Sequence, residues 1–158
     1  MKVIPPILDS LALVPGVLVP FVQGIPKDRL HLRRGEGFWT IAEHVHHLDH
    51  LQPTLCRRVQ NFLEQDAPEF VPYALPQYGE GMAVDVDQAL AGFETGRKEL
   101  LDLLRKAGPD VWKKQSSHPN YTNFDFAFMV RHILAHDYWH IYRIESLWLM
   151  KNEHLKPS

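Results

Sequence analysis

Residues 39–51 read Trp39-Thr-Ile-Ala-Glu43-His-Val-His-His47-Leu-Asp-His50-Leu51, and the fold is decided there. Thr40 followed three residues later by Glu43 is a capping box, in which each side chain satisfies a backbone donor that the first helical turn leaves without a partner. Stepping about 100° per residue from Ile41 puts Val45, Leu48, Leu51, Leu55, Val59 and Phe62 on one stripe. The pattern predicts an amphipathic helix to about Gln65. Pro53 lies inside it and removes the bond back to Asp49, which predicts a kink.

Working outward, residues 66–84 carry Pro68, Pro72, Pro76, Gly79 and Gly81 and predict a long loop. A third helix is expected from Asp85, with Gln88 three residues on, to near Gly108, its apolar face formed by Leu90, Phe93, Leu100, Leu101 and Leu104. A polar loop with His118, Pro119 and Asn120 precedes a last helix from about Phe124 to Met150. That helix lines up Phe126, Val130, Ile133, Ile141, Ile144 and Trp148. Toward the N-terminus, Val3 to Val22 is apolar enough to suggest a signal peptide or membrane span. Pro5, Pro6, Pro15 and Pro20 argue against both, and predict a short first helix from near Pro15 to Gly24 and no membrane association. No segment alternates with period two for long, and no repeat or linker appears. The expectation is one all-α domain over residues 1–158, a four-helix bundle with long second and third loops.

The 158 residues suit a single core, with 45% hydrophobic and 23% charged side chains, as in globular proteins. A net charge of −2 without a basic block argues against nucleic acid or anionic lipid as partner. The single cysteine, Cys56, excludes an intramolecular disulfide or a multi-cysteine zinc site and fits a reducing, cytoplasmic setting. No neighbour except Arg57 would lower its pKa, so Cys56 reads as a small core or flank residue.

Histidine is the unusual component: ten in all, seven of them within 44–50 and 132–140. His132, His136 and His140 recur every four residues, which stacks them on one helix face with Cβ atoms about 5–6 Å apart, close enough for two to share a metal ion. His136 and His140 border the apolar stripe, whereas His132 is turned toward solvent, so the inner pair is the better candidate. On the earlier helix His46 and His50 point away from the stripe. His44 lies inside it and His47 on its margin; periodicity leans toward His44 and does not choose between them.

The segment from Trp39 to Leu48 resembles the start of the second helix in DinB-like (YfiT-like) proteins, where a tryptophan opens the helix and the first metal histidine follows eight residues later. Here that position is His47. Arg131-His-Ile-Leu-Ala-His136-Asp-Tyr-Trp-His140 resembles the family's last helix, whose histidine pair completes a three-histidine site. The resemblance spans about Asp9 to Trp148. It implies an up-down-down-up bundle, a metal site of His47, His136 and His140, and a supporting or core place for His44. Two departures stand after the last ligand, where Gly and Gln are frequent in the family: Tyr142, expected to narrow the site, and Arg143, a candidate to bind an anionic substrate group.

Three neutral imidazoles leave a divalent ion's charge uncompensated and a coordination position open, so such an ion acidifies a bound water or thiol and polarises a carbonyl. Zinc suits three nitrogens best; nickel and iron are compatible. Asp137 is a candidate to orient a ligand imidazole or to act as a base. The resemblance implies a small-molecule enzyme, foremost a thiol-dependent S-transferase using a low-molecular-weight thiol, with a metal-dependent hydrolase as alternative. It also implies a homodimer, which the Val- and Leu-rich first helix would suit. A di-iron carboxylate site is excluded, since only Glu43-His44-Val45-His46 fits its Glu-x-x-His string and points off the stripe. The remaining alternative is a non-enzymatic helical interaction module with structural or pH-responsive histidines. The loop segments Phe70–Tyr73 and His118–Tyr121 are candidates to cover the mouth of the site.

Overall fold

Thr40 and Glu43 form the expected reciprocal pair in the computed structural model, which describes residues 6–78 and 82–157. The Thr40 hydroxyl accepts from the Glu43 N–H at 3.1 Å, and the Glu43 carboxylate accepts from the Thr40 N–H at 2.7 Å. The helices in chain order are α1 (Pro6–Gln23), the single turn α2 (Lys27–Leu30), α3 (Ile41–Glu64), α4 (Val86–Leu104) and α5 (Phe126–Leu149). Asp85 caps α4 by accepting from the Gln88 N–H, and Asp125 caps α5 by accepting from the Phe128 N–H. Pro5, Gly79 and Gly81 lie outside the described residues.

α1 is longer than the prolines suggested. Pro6 occupies the first helical position, where no donor is required, and the helix then continues through Pro15 and Pro20. Pro15 cannot bond to the Leu11 carbonyl, and the buried Arg97 of α4 supplies a donor to that oxygen at 3.5 Å. Pro20 frees the carbonyl of Gly16, an exposed residue that water can reach. The prolines therefore do not break this helix, which is long and apolar enough to cross a membrane by length and composition. What places it in the bundle is its stripe of Leu8, Leu11, Val14, Leu18 and Val22, all buried.

α3 packs on α4 and α5, and α1 packs on α4 and α5, so the order around the bundle is α1–α4–α3–α5. Contacts between named residues fix the directions. Leu8 and Leu11 share a cluster with Leu100, Leu104 and Phe126, while Val22 shares one with Val86, Leu90 and Ile144. α1 is thus antiparallel to α4 and parallel to α5. Asp49 abuts Gly92 and Gln52 abuts Gly96, so α3 and α4 run parallel. The result is the up-down-down-up arrangement. A Cβ on Gly92 would collide with the Asp49 carboxylate, and one on Gly96 would stand 2.5 Å from Gln52 Cβ. The two glycines let the parallel pair approach closely.

Parallel neighbours cannot be joined by a tight turn, which accounts for the long connection 65–85. Its described part retraces α3: Phe70 meets Phe62, Val71 accepts from Arg58, Tyr73 packs on His47 and His50, and Tyr78 reaches His46 and Trp39. The α4–α5 connection holds a feature absent from the sequence reading, a hairpin of β1 (Gln115–His118) and β2 (Tyr121–Asp125). It pairs Gln115 with Asp125 and His118 with Tyr121, with an irregularity after Ser116. The strands are four and five residues long and β1 is wholly polar, so no apolar alternation announces them. The Phe70 N–H donates to the Ser117 carbonyl at 3.1 Å and pins the crossover to this hairpin.

The core falls into two apolar clusters separated by a polar level. On α4, Arg97 lies between Phe93 and Leu100; on α5, His136, Asp137 and His140 lie between Ile133 and Ile144.

Candidate metal centre

That polar level holds a site open on one side. α3 contributes His47 and α5 contributes His136 and His140, whose ligand nitrogens all lie within 4.8 Å of one another. His47 Nε2 is 3.2 Å from His136 Nε2, and His140 Nε2 is 3.1 Å from it. Two nitrogens bound to one tetrahedral zinc at about 2.0–2.1 Å stand about 3.3 Å apart. The three side chains therefore already have the spacing of a shared ion's ligands, and the donor set fits a divalent metal.

Their protonation fits as well. Burial first, then neighbouring imidazoles, pushes His136 down to about 3 and His47 to about 4, and lowers His140 as well. All three are neutral near pH 7, as ligands must be. His44 stands behind the site: its Nδ1 lies 2.8 Å from His140 Nδ1. With His140 Nε2 turned to the cluster, its Nδ1–H donates to His44, which occupies the place usually taken by a carboxylate or carbonyl. The structure brings His47, and not His44 toward which periodicity leans, together with the pair on α5. Both His44 and His47 are buried, but one turn of the helix separates the residue behind the cluster from the one within it. Trp39 packs over His44, His47 and His140 with ring centroids 5.2–6.0 Å away, closing that side.

Three buried neutral imidazoles (His44, His47 and His140) and the half-buried His136 predict acid lability of the metal-free protein. Burial, then Arg143, lowers His44 to about 3. Below about pH 6.5 the unfolded chain takes up protons that the folded chain refuses, so stability present above pH 6.5 is lost as pH falls toward 4. The slope is at most about 1.4 kcal/mol per pH unit for each histidine. Urea midpoints at pH 7 and pH 5 measure this; equal midpoints would show that the folded imidazoles take up protons as readily as free ones.

A cavity of about 210 Å³ opens onto His47 and His136. Its walls are Leu51, Leu55, Phe124, Met129 and Ile133, with Tyr73 from the crossover and His118, Asn120 and Tyr121 from the hairpin. Both loop segments expected at the mouth are there. His132, exposed as expected, also lines the cavity one turn before His136.

The two non-histidine candidates lie elsewhere. Asp137 turns into the core, where Arg97 Nη1 and Nη2 donate to its carboxylate at 2.6 and 3.1 Å. Burial raises the carboxyl above its ordinary pKa and Arg97 opposes that. Arg143 is buried beside His44 and donates to the Lys156 carbonyl at 2.8 Å, outside the cavity lining. Tyr142 does not narrow the site; it is 55% exposed. His46 is half-buried instead of solvated, 3.1 Å from the Tyr78 hydroxyl. Cys56 is half-buried on α3; burial and then Glu99 raise its thiol pKa, as befits a packing residue.

Two residues that matter to the site went unremarked in the sequence. Arg97 continues the α4 stripe four residues after Phe93 and three before Leu100, so a charge on the buried face was there to be seen. Arg58 lines the cavity from α3 and left no comparable signal, because its place depends on the crossover.

An up-down-down-up bundle with a histidine on its second long helix and an i, i+4 pair on its last defines a class of helical three-histidine proteins. The family model of the DinB superfamily matches residues 10–144, and the chain belongs to that superfamily. Among solved structures, it is similar to YfiT from Bacillus subtilis, described as a probable metal-dependent hydrolase with an unusual four-helix bundle topology. That match has a TM-score of 0.80 at 22% identity and covers 90% of this chain and 83% of that one. No curated protein sequence matches the chain significantly.

Proposed function

We propose that this protein is a metal-dependent enzyme acting on small molecules at the His47–His136–His140 centre, and that its reaction is transfer of a low-molecular-weight thiol to an electrophile. The observation that carries this reading is the make-up of the cavity: one end formed by His47 and His136 of a neutral three-nitrogen donor set, apolar walls, and no carboxylate among the described lining residues. A divalent ion bound there, zinc by preference, would supply positive charge that acidifies a thiol and polarises an electrophile.

The chain's own residues do the rest. Leu51, Leu55, Met129 and Ile133 exclude water and hold the organic part of the substrate. His44 fixes the His140 ring, and Trp39 seals the back. In the transfer, the sulfur's electron pair forms the new carbon–sulfur bond. The leaving group departs with the pair of the bond it breaks and takes up the proton the thiol has lost. Activating water ordinarily calls for a positioned base as well, and the carboxylate nearest in sequence, Asp137, is held by Arg97.

Hydrolysis is the second reading. It is favoured by the similarity to YfiT and by His132, an imidazole at the cavity wall one helical turn from His136 that could serve as base. Zinc-loaded and chelator-treated protein would be assayed with a bimane electrophile plus bacillithiol or cysteine, and with p-nitrophenyl acetate alone. Thiol-dependent conjugation that disappears with the metal and returns with zinc is the expected result. Metal-dependent ester cleavage without thiol, and no conjugation, would establish the hydrolase instead.

A further inference from the structure

The cavity is not electrically symmetrical. Its inner end is formed by His47 and His136 and its outer wall includes Arg58, eleven residues further along the same helix. At 1.5 Å per residue the two backbones are about 16 Å apart, and between them the lining is Leu51, Leu55, Ile133 and Met129.

Arg58 is half-buried and held in place. One amino group, Nη2, donates to the Val71 carbonyl at 2.9 Å, and the guanidinium stands 5.8 Å from the centre of the Phe70 ring. No carboxylate among the described residues lies within ion-pair distance of it. The titratable groups it faces across the cavity are the phenol of Tyr121 and the imidazoles of His118 and His132, both imidazoles having their pKa values lowered first by burial and then by Arg58 itself. Their neutral forms leave its charge uncompensated, and a fixed, partly desolvated cation in an apolar wall favours an anion beside it.

We infer that the cavity binds an elongated organic carboxylate, with its carboxylate on Arg58, its apolar body along Leu51, Leu55 and Ile133, and its reacting end at the three histidines. The inference rests on the proposed role of that centre as the reacting end. A carboxylate is the anion that fits: Arg58 is the one Arg or Lys among the described lining residues, one of its amino groups is already engaged by Val71, and a doubly charged phosphate would call for a second cation. The cation offered to the substrate is thus Arg58, in place of Arg143.

The test compares 4-phenylbutyrate with its neutral amide, 4-phenylbutyramide, by calorimetric titration of the full-length metal-free protein, repeated after zinc loading. Working without metal keeps coordination of the carboxylate by zinc from imitating the effect. It also keeps the two proposals apart, since a protein that held no metal would overturn the proposed function and leave this comparison intact. The parent should bind the carboxylate at least about 10-fold more tightly than the amide, the scale of one desolvated guanidinium–carboxylate contact. In Arg58→Gln the preference should fall below about 3-fold with the amide affinity unchanged, and Arg58→Lys should restore part of it. The inference is overturned by equal affinities in the parent, by no binding of either compound, or by a preference that survives in Arg58→Gln. Loss of both ligands in Arg58→Gln would also overturn it, because it would show that Arg58 only holds the Val71 segment.

Discussion

Replacing His47 or His140 by alanine is expected to abolish metal binding. The parent, purified without a metal-affinity tag, should carry about one transition-metal ion per chain, with affinity falling more than about 100-fold in either variant. Each substitution removes a nitrogen that stands 3.1–3.2 Å from His136 Nε2, leaving two neutral donors that water can outcompete. His44→Ala should behave differently. It touches no ion and only fixes the His140 ring through the 2.8 Å contact, so a loss of about 10–100-fold is expected, the usual cost of removing an outer partner of a ligand. Metal content by mass spectrometry and zinc titration rank the three. Metal retained in His47→Ala but lost in His44→Ala would put the wrong turn of α3 at the centre. An absence of metal from the parent, even after zinc is added, would leave a helical binding module.

The second large effect lies beside the site. Arg97→Met should destabilise the protein by about 3–5 kcal/mol, because Asp137 would be left as a buried carboxylate without its partner. Arg97 and Asp137 are each only 1% exposed and joined by two hydrogen bonds, so no water can substitute. The same change strips the donor from the Leu11 carbonyl that Pro15 leaves free. Arg97→Met combined with Asp137→Leu should recover most of the loss, since replacing both charges of a buried pair is far less costly than stranding one. Urea denaturation of the parent and the two variants decides it. A single variant within about 1 kcal/mol of the parent would mean that Asp137 accepts a proton in the core at little cost.

The legible parts of this fold were local. Thr40 and Glu43 start α3 through contacts three residues apart, and Asp85 starts α4 in the same way, so four-residue windows were enough. The start of α1 at Pro6 is not legible from its prolines, because the donor that Pro15 lacks is made good from outside the helix. The compensation for Pro15 comes from Arg97, 82 positions away in sequence, and no window around the proline contains it. The hairpin escaped for a different reason: its strands are too short and too polar to alternate, and they are held by the crossover as much as by each other.

The candidate site divided in a similar way. The pair His136 and His140 follows from helical geometry alone, whereas the choice of His47 over His44 depends on the rotation of α3 against α5. A helical wheel does not contain that quantity, and the resemblance to DinB-like proteins supplied it. Asp137 looked suggestive because it adjoins a ligand in sequence. Adjacent helical residues point about 100° apart, and that angle sends its carboxylate to Arg97.

The parallel run of α3 and α4 obliges the chain to travel back along the bundle, and it does so on the side where the cavity opens. Pro72, Tyr73 and Leu75 of that return segment form part of the cavity's rim, while the histidines are carried on α3 and α5. On the proposed function, chemistry and selectivity are therefore lodged in different materials, the one in packed helices and the other partly in a strap that meets the cavity through Pro72, Tyr73 and Leu75. A lineage could exchange one substrate for another by rewriting the strap, and the metal ligands would not have to move.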